Sequence, residues 1–496
     1  MKLCIANHLA ILLLTVGLAS GVSAATFTVN HSGDAADILP GDGICQTAIP
    51  AQCTLRAATQ EANALPGGDS VIVPAGSYSL SLGQLSITDD LNMSGEGPDA
   101  TIINGDGATR VLLVENPPVS PRITVTVEGV TIQNGGDLAA IGAGILVDFG
   151  TTVNLTDSVV RNNSAPEGAG VWINFDGILN ITNSIISHNN AFIAGGGIRN
   201  SGKLTVRSST VSNNTPSGIV NSAFDDEATI INSTLSGNVS DLVNDGAPIS
   251  IVNSTLTNAL LNLGGGPFVG VVRLKNTVIT GGCVGAITSD GHNLSSDDSC
   301  GLTSPGDLIN TDPLLGPLQN NGGPTETHAL LPGSPAIDAV AENCTDLEGD
   351  LVLTDQRGEP RPADGNGDGN TACDIGAFEV QLALVTVDID IKPRNEANPV
   401  NPRARGVLKV AVITTENFDA STVDVGTVGF GPASAASVWY RFDDVDYDGD
   451  LDLALKFRTQ DTGIACGDTE ATLTGKTFGD VEITGTDSLK TVGCPK

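Results

Sequence analysis

Through the middle of the chain an aliphatic residue recurs just ahead of a polar corner, at Ile132, Val160, Ile186, Val211, Leu235, Leu256 and Ile279. The intervals are 28, 26, 25, 24, 21 and 23 residues. Around each lies nearly the same line: "TVNLTDSVVRNN", "ILNITNSIISHNN", "KLTVRSSTVSNN", "ATIINSTLSGN" and "ISIVNSTLTN". Within a line apolar and polar residues alternate, and β-branched types dominate, which predicts short strands rather than helices. Self-similarity at this period predicts a solenoid. A leucine-rich horseshoe is excluded by the missing L-x-x-L-x-L consensus. One such line cannot bury its own apolar face, so turns must stack about 4.8 Å apart with their inward aliphatics in one column. The predicted fold is all-β, a right-handed parallel β-helix.

The punctuation fits. "GAGI" at 142, "GAGV" at 168, "GGGI" at 195 and "SGIV" at 217 recur in phase, where a sharp corner needs positive φ. Asp148, Asn174, Asn200 and Asn221 follow them in register, if one residue is inserted in the first two turns. Stacked Asn side chains at such positions bond each other along the axis. Weaker strands precede the clear repeats: "SVIV" at 70, "LSI" at 85, "LNMSG" at 91 and "TIING" at 101. In "CTLRAATQEANALPGG", Leu55, Ala58, Ala62 and Leu65 mark one helical face, ended by Pro66-Gly67-Gly68. This helix is expected to lid the N-terminal end, which would otherwise expose core and unpaired backbone.

Residues 1–24 read as a signal peptide: Lys2, the apolar run "LAILLLTVGLA", then small residues to Ala25. The run is too short for a transmembrane helix. An extracellular or cell-surface location is expected. Cys4 leaves with the signal, and an even eight cysteines in an exported chain favour disulfides over metal binding. Proximity pairs Cys45 with Cys53, Cys283 with Cys300, Cys344 with Cys373, and Cys466 with Cys494. The chain carries 57 acids against 23 bases, a field that repels nucleic acid and anionic membranes. A monomer is expected, with a polysaccharide or another cell surface as partner.

"CTLRAATQEAN" resembles the Cys-Ser-Leu-Arg-Glu-Ala motif that opens many secreted bacterial β-helix proteins; Cys53, Leu55, Arg56 and Asn63 match. Ala57 stands where that family has Glu, and Thr59 where Ile is usual. "DPLLGPLQNNGGPTETHALLPGSPAID" from 312, "TDQRGEPRP" from 354 and "CDIGAFE" from 373 resemble the choice-of-anchor type Q module that ends such helices. The resemblance implies a β-helix of the pectate-lyase-like superfamily over about 26–380, with a cap module at about 310–380. It implies no lyase activity, because the fold hosts many roles. Asp355, Arg357, Arg361, Asp374 and Glu379 lie amid Pro and Gly turns and are read as ion-paired cap residues.

The first domain is thus expected to span residues 25–384. From 385 to 496 the repeat gives way to ordinary alternating strands, "VTVDIDIKP", "GVLKVAVITT", "SVWYRF", "DLALKFR" and "EATLTG", which predict a small β-sandwich. This segment also resembles a C-terminal module of many secreted microbial proteins. Within it "DVDYDGDLD" sets Asp444, Asp446, Asp448, Asp450 and Asp452 at alternate positions with Gly449 sixth, the first half of an EF-hand loop. Leu455 replaces the bidentate Glu at position twelve, and strands flank the loop, so a β-type calcium loop is expected. "DGNGDGN" offers a second candidate through Asp364, Asn366, Asp368 and Asn370, with Asp374 near.

For function, a calcium-stabilised, adhesin-like scaffold without a catalytic site competes with a polysaccharide lyase or glycoside hydrolase acting on the solenoid face. A hydrolase needs two carboxylates about 5–10 Å apart; "VDFG" and "NFDG" offer Asp148 and Asp176, although turn chemistry alone selects Asp there. A lyase needs a base beside a cation. Arg161, His188, Arg199 and Lys203 are available, and none joins an acidic cluster in sequence. Candidate sugar platforms are Phe149, Trp172, Phe175, Phe192, Phe224 and Phe268. Phe149 and Phe175 recur in phase, which predicts a stacked core ladder.

Overall fold

The computed structural model describes residues 24–117, 120–136, 141–223, 227–264, 270–341, 344–382, 384–478 and 481–495. All but the last residue of the expected signal, with Phe224 and Phe268, therefore lies outside the described residues. The chain divides into two compact units, Met1–Ala363 with Thr371–Val380, and Asp364–Asn370 with Gln381–Lys496. The expected boundary at 384 is thus corrected. "DGNGDGN" belongs with the C-terminal unit, although residues of the first unit flank it.

The first unit is a parallel β-helix with three faces, of eleven, nine and ten strands. One turn shows the plan. Ile178–Thr182 lies on the eleven-stranded face, Ile185–Ser187 on the ten-stranded face and Ile198–Asn200 on the nine-stranded face. Lys203–Arg207 then restarts the cycle. The column read from the sequence is a physical column: Ile132, Val160, Ile186, Val211, Leu235, Leu256 and Ile279 are consecutive parallel partners, all fully buried. The earlier weak strands also form, as Asp69–Val73, Leu85–Ile87, Leu91–Gly95 and Thr101–Asn104.

Polar columns line the corners. Asn163, Asn189, Asn214 and Asn238 are buried, and each donates Nδ2–H to the next one's Oδ1 at 2.9, 3.0 and 3.1 Å. Asn238 passes its Nδ2–H to Asp241 at 2.8 Å. A chain of amides all donating in one direction needs an acceptor at its end, and a carboxylate is acceptor-only. At the next corner Ser184, Ser209, Ser233 and Ser254 each accept the backbone N–H of the preceding turn's serine at 3.1 to 3.2 Å. The expected Asn register is corrected: Asn200, Asn221, Asn244 and Asn262 form one buried column. Asn200 lies opposite Ile173, so Asp148 and Asn174 form a separate pair one residue later.

The corner glycines have two reasons to be glycine. Gly195 has φ +65°, as expected, whereas a Cβ on Gly197 would sit 2.4 Å from the carbonyl oxygen of Gly218 on the next turn. Close stacking, rather than positive φ, selects the Gly of "SGIV".

Leu55–Ala64 is a helix capped by Thr54, whose side chain accepts from the N–H of Ala57 at 3.1 Å. Leu55, Ala58 and Ala62 join the solenoid core, with Leu65 packed against it. Arg56 pairs with Asp34 at 2.6 Å, and Asn63 bonds Ser86 and Thr88 at 2.7 and 2.9 Å, tying helix to first turns. Glu61, fully buried, accepts the N–H groups of Gly41 and Gly43, so a glutamate contact exists one turn beyond Ala57.

The segment expected to end the helix instead lies along its ten-stranded face. Thr210, Thr234 and Thr255, successive partners there, meet Glu326, Gln356 and Ala377 at 2.6, 2.6 and 3.1 Å. Cys300 and Leu302 pack into the core at the last turns, with Cys300 bridged to Cys283. The four disulfides pair as proximity predicts. Arg357 pairs with Asp355 at 2.7 Å and Arg361 with Glu379 at 2.8 Å, all with side chains nearly out of solvent. Asp374 carries no such pair in this network; it accepts the N–H groups of Asp338 and Val380 at 2.7 and 2.6 Å.

The C-terminal unit is a mainly antiparallel sandwich. Leu384–Thr386, Glu482–Ser488, Glu470–Thr477, Val423–Phe430 and Ala435–Ala436 form one sheet. Ile389–Ile391, Val407–Val412, Asp452–Arg458 and Trp439–Asp443 form the other. Phe430 and Phe457, with ring centroids 5.1 Å apart, centre a shared core that includes Val410, Leu455, Leu473 and Ile483.

Candidate functional site

The acidic loop follows the edge strand Trp439–Asp443 and leads into Asp452–Arg458. Carboxylate oxygens of Asp444, Asp446 and Asp452 lie within 4.8 Å of one another. Asp452 is buried and held by the N–H groups of Thr414 and Val445, both at 2.9 Å. Asp444 and Asp448 accept the N–H groups of Tyr447 and Asp450 at 2.7 and 3.1 Å, which bends the loop back on itself. One oxygen of Asp450 is shielded from solvent without a partner. Desolvation and neighbouring carboxylates push the Asp450 carboxyl up to about 6, and Asp446 is raised as well. Hard oxygen donors, mutual repulsion and an orphaned carboxylate oxygen all fit a divalent cation of the calcium type, which would neutralise them together.

The loop at 364–370 spends its oxygens differently. Asp364 accepts the N–H groups of Gly367 and Gly369 at 2.7 and 2.8 Å, Asn366 that of Asp368 at 2.8 Å, and Asp368 that of Asn370 at 2.8 Å. The bonds to Asn370 hold the Asp368 carboxyl below its ordinary range. These are turn-forming bonds. Asp374 is occupied in the first unit's own network.

On the solenoid, Asp148 accepts from Asn174 Nδ2 at 2.7 Å and from the N–H of Phe149 at 2.8 Å. Asp176 is ion-paired with Arg122 at 2.8 Å. Each is thus engaged at its corner. The adjoining aromatics correct the sequence reading: Phe149 and Phe175 do stack, with centroids 6.4 Å apart, but they are 57% and 55% exposed. The left-handed turns at Gly150 and Asp176 follow them directly. The chain must leave the inward register of Val147 and Ile173 to round that corner, and the ring goes out with it.

A second solenoid feature was not legible in sequence. Between the flanking segment and the ten-stranded face lies a groove of about 540 Å³ lined by Asp99, Arg161, His188 and Glu326. It brings together two of the four basic candidates with acids 62 residues before and 165 after Arg161. Arg161 is oriented by Gln133 at 3.1 Å. Arg199 instead faces Glu167 at 3.7 Å, and Lys203 is exposed at a strand start. The strongly raised carboxyls of this unit are elsewhere and buried. Desolvation takes Asp241 to about 6, while burial and Glu379 take Asp374 to about 7.

No helix among the described residues is long and apolar enough to cross a membrane. No curated protein matches the chain. Among solved structures it is similar to "Crystal structure of pectate lyase Pel9A", at 15% identity and a TM-score of 0.42, over 73% of this chain and 98% of that one. The family model described as "Right handed beta helix region" matches residues 119–297. The parallel solenoid is therefore a right-handed β-helix.

Proposed function

We propose that the protein is an exported binding scaffold, adhesin-like in that it presents a rigid solenoid surface to a polysaccharide or another cell surface, with a calcium-stabilised C-terminal domain. The observation that carries this reading is the exposed Phe149–Phe175 stack. Two large rings stacked in solvent on adjacent turns give a contiguous apolar patch that a ligand can cover. Four disulfides and the signal-like N-terminus support placing it outside the cell. The test is retardation of the purified chain in gels containing neutral or uronic-acid polysaccharides. Binding that weakens in the Phe149→Ala/Phe175→Ala variant supports the reading, and no binding to any polysaccharide or to cells overturns it.

The groove holding Asp99, Arg161, His188 and Glu326 favours a second reading, a polysaccharide lyase or hydrolase. The groove sets an imidazole and two carboxylates, candidate acid and base groups, in one lining with an arginine that can hold an anionic sugar. Unsaturated-product absorbance or new reducing ends, lost in Arg161→Ala, would establish that reading in place of the scaffold.

A further inference from the structure

The C-terminal sandwich carries a groove that the sequence reading did not single out. It has a volume of about 690 Å³, and Trp439, Tyr440, Phe442, Phe478, Val423 and Val425 line it. Aromatic residues are only 3% of this chain, with two Trp and three Tyr in all. Trp439, Tyr440 and Phe442 nonetheless occupy a single five-residue strand, 40%, 52% and 40% exposed, and Phe478 beside them is 74% exposed.

Their exposure has a structural origin. Tyr440 and Phe442 lie directly opposite Leu455 and Leu453, so they belong to the core-facing side of their sheet. Leu453 and Leu455 are fully buried, whereas the strand Trp439–Asp443 is the last of its sheet, and the facing sheet leaves its inner side open. Trp439, opposite Lys456, turns its ring to the other face of the sheet, where Lys456 Nζ lies 4.1 Å from the ring centroid, so Tyr440, Phe442 and Phe478 are the rings the groove offers. Ser421, Asp424 and Ser437 share the lining.

We propose that this groove binds an uncharged polysaccharide. A pyranose ring offers an apolar C–H face bordered by hydroxyls. An open groove of fixed aromatic rings with a few hydroxyl and carboxylate groups is complementary to both features. Charge narrows the class: residues 385–496 hold 18 acids against 11 bases in a chain of net charge −34, a field that disfavours polyuronates and sulfated glycans. An extended peptide pairing with the free strand edge is the competing occupant. Arg441 and Asp443, ion-paired on that strand, are the kind of charged edge residues that discourage strand addition.

This inference deepens the binding-scaffold reading by naming a ligand class for a different unit. The experiment separates the two. The full chain is run in affinity gels containing hydroxyethylcellulose, galactomannan or xyloglucan, with polygalacturonate as the anionic control, beside Tyr440→Ala, Phe478→Ala and Phe149→Ala/Phe175→Ala variants. Phe478 is too exposed for its loss to unfold the domain. Retardation by at least one neutral polysaccharide, weakened tenfold or more in Tyr440→Ala and several-fold in Phe478→Ala but kept in the Phe149/Phe175 variant, is the expected result. Retardation lost only in the Phe149/Phe175 variant would sink this proposal and leave the scaffold reading standing. No retardation by any neutral polysaccharide, or capture of an apolar extended peptide abolished by the same Tyr440 variant, would overturn it as well.

Discussion

In the Asn and Ser columns of the solenoid a buried polar group finds its partner one turn away, and in the C-terminal sandwich it finds its partner wherever the local loop happens to pass. Asn189 bonds Asn163 and Asn214, its counterparts in the neighbouring turns. Asp452 is satisfied by Thr414 and Val445, which share no repeat with it. The difference teaches that in a stacked fold one sequence line supplies both halves of an interaction, so a neutral amide or hydroxyl suffices at every level. The sandwich has no such translation, and three of its acids converge in one loop instead.

The comparison is broken most forcefully in the core. Ile181, fully buried between Leu155 and Val206, is expected to cost about 2–5 kcal/mol on replacement by Ala. Trp172 and Trp439, the two tryptophans, lie one in each unit, so Trp→Phe variants give a reporter for each. Urea titration of Ile181→Ala should shift the Trp172 transition and leave that of Trp439 in place. A shift of equal size in both would show that the units unfold as one and that their difference in bonding has no energetic consequence.

Next in size is a pH effect read in the solenoid. Asp241 ends the Asn column, and burial raises its carboxyl from 3.8 to about 6. A raised folded-state value means stability that is fully present below about pH 4 and lost as pH rises through about 6. The linked cost approaches about 3 kcal/mol at 1.36 kcal/mol per pKa unit. Asp374, raised to about 7, adds a loss of the same sign. Wild type and Asp241→Asn compared between pH 4 and pH 6 by the Trp172 signal should differ in slope by up to about one proton. Parallel slopes would mean that the carboxylate is accommodated as an anion.

Calcium probes the other half of the comparison. Chelator-stripped protein given calcium at about a hundredfold over its Kd should gain about 2.7 kcal/mol, read by Trp439 and not by Trp172. Asp446→Asn, at one of the three converging carboxylates, should remove most of the gain. Calorimetric titration without heat, and an unmoved transition at millimolar calcium, would leave the loop as an acidic turn.

How much of this was legible followed the same divide. The aliphatic column from Ile132 to Ile279 was read residue for residue, because a repeat compares each position with its own copies. The disulfides were readable for a plainer reason, that each pair is close in sequence. What failed involved contacts without a copy. The segment at 310–380 was expected at the end of the helix, yet Thr210, Thr234 and Thr255 stand where earlier turns have Val159 and Ile185, a hint that this face is covered by hydrogen-bonding chain. Phe149 and Phe175 were correctly placed in phase but on the wrong side, since phase fixes neighbours and not the direction of a corner residue. The groove joining Arg161 and His188 to Glu326 depends on that flanking segment and carried no sequence signal.

The smallest expected effect tests whether the polar columns matter one hydroxyl at a time. Ser209 Oγ accepts the N–H of Ser184 at 3.1 Å and donates to the carbonyl of Arg207 at 2.7 Å. Ser209→Ala leaves the Ser184 N–H buried without that acceptor while creating almost no cavity, and the cost should be about 1–2 kcal/mol, close to one unsatisfied buried donor. Ser209→Thr keeps the oxygen and should recover most of it, because Thr277 already occupies the equivalent corner and its Oγ1 donates to the carbonyl of Lys275 at 2.9 Å. Equal stability of the Ala variant and wild type by the Trp172 signal would mean that aliphatic stacking alone sets the register. The serine column would then be a consequence of the solenoid rather than one of its causes.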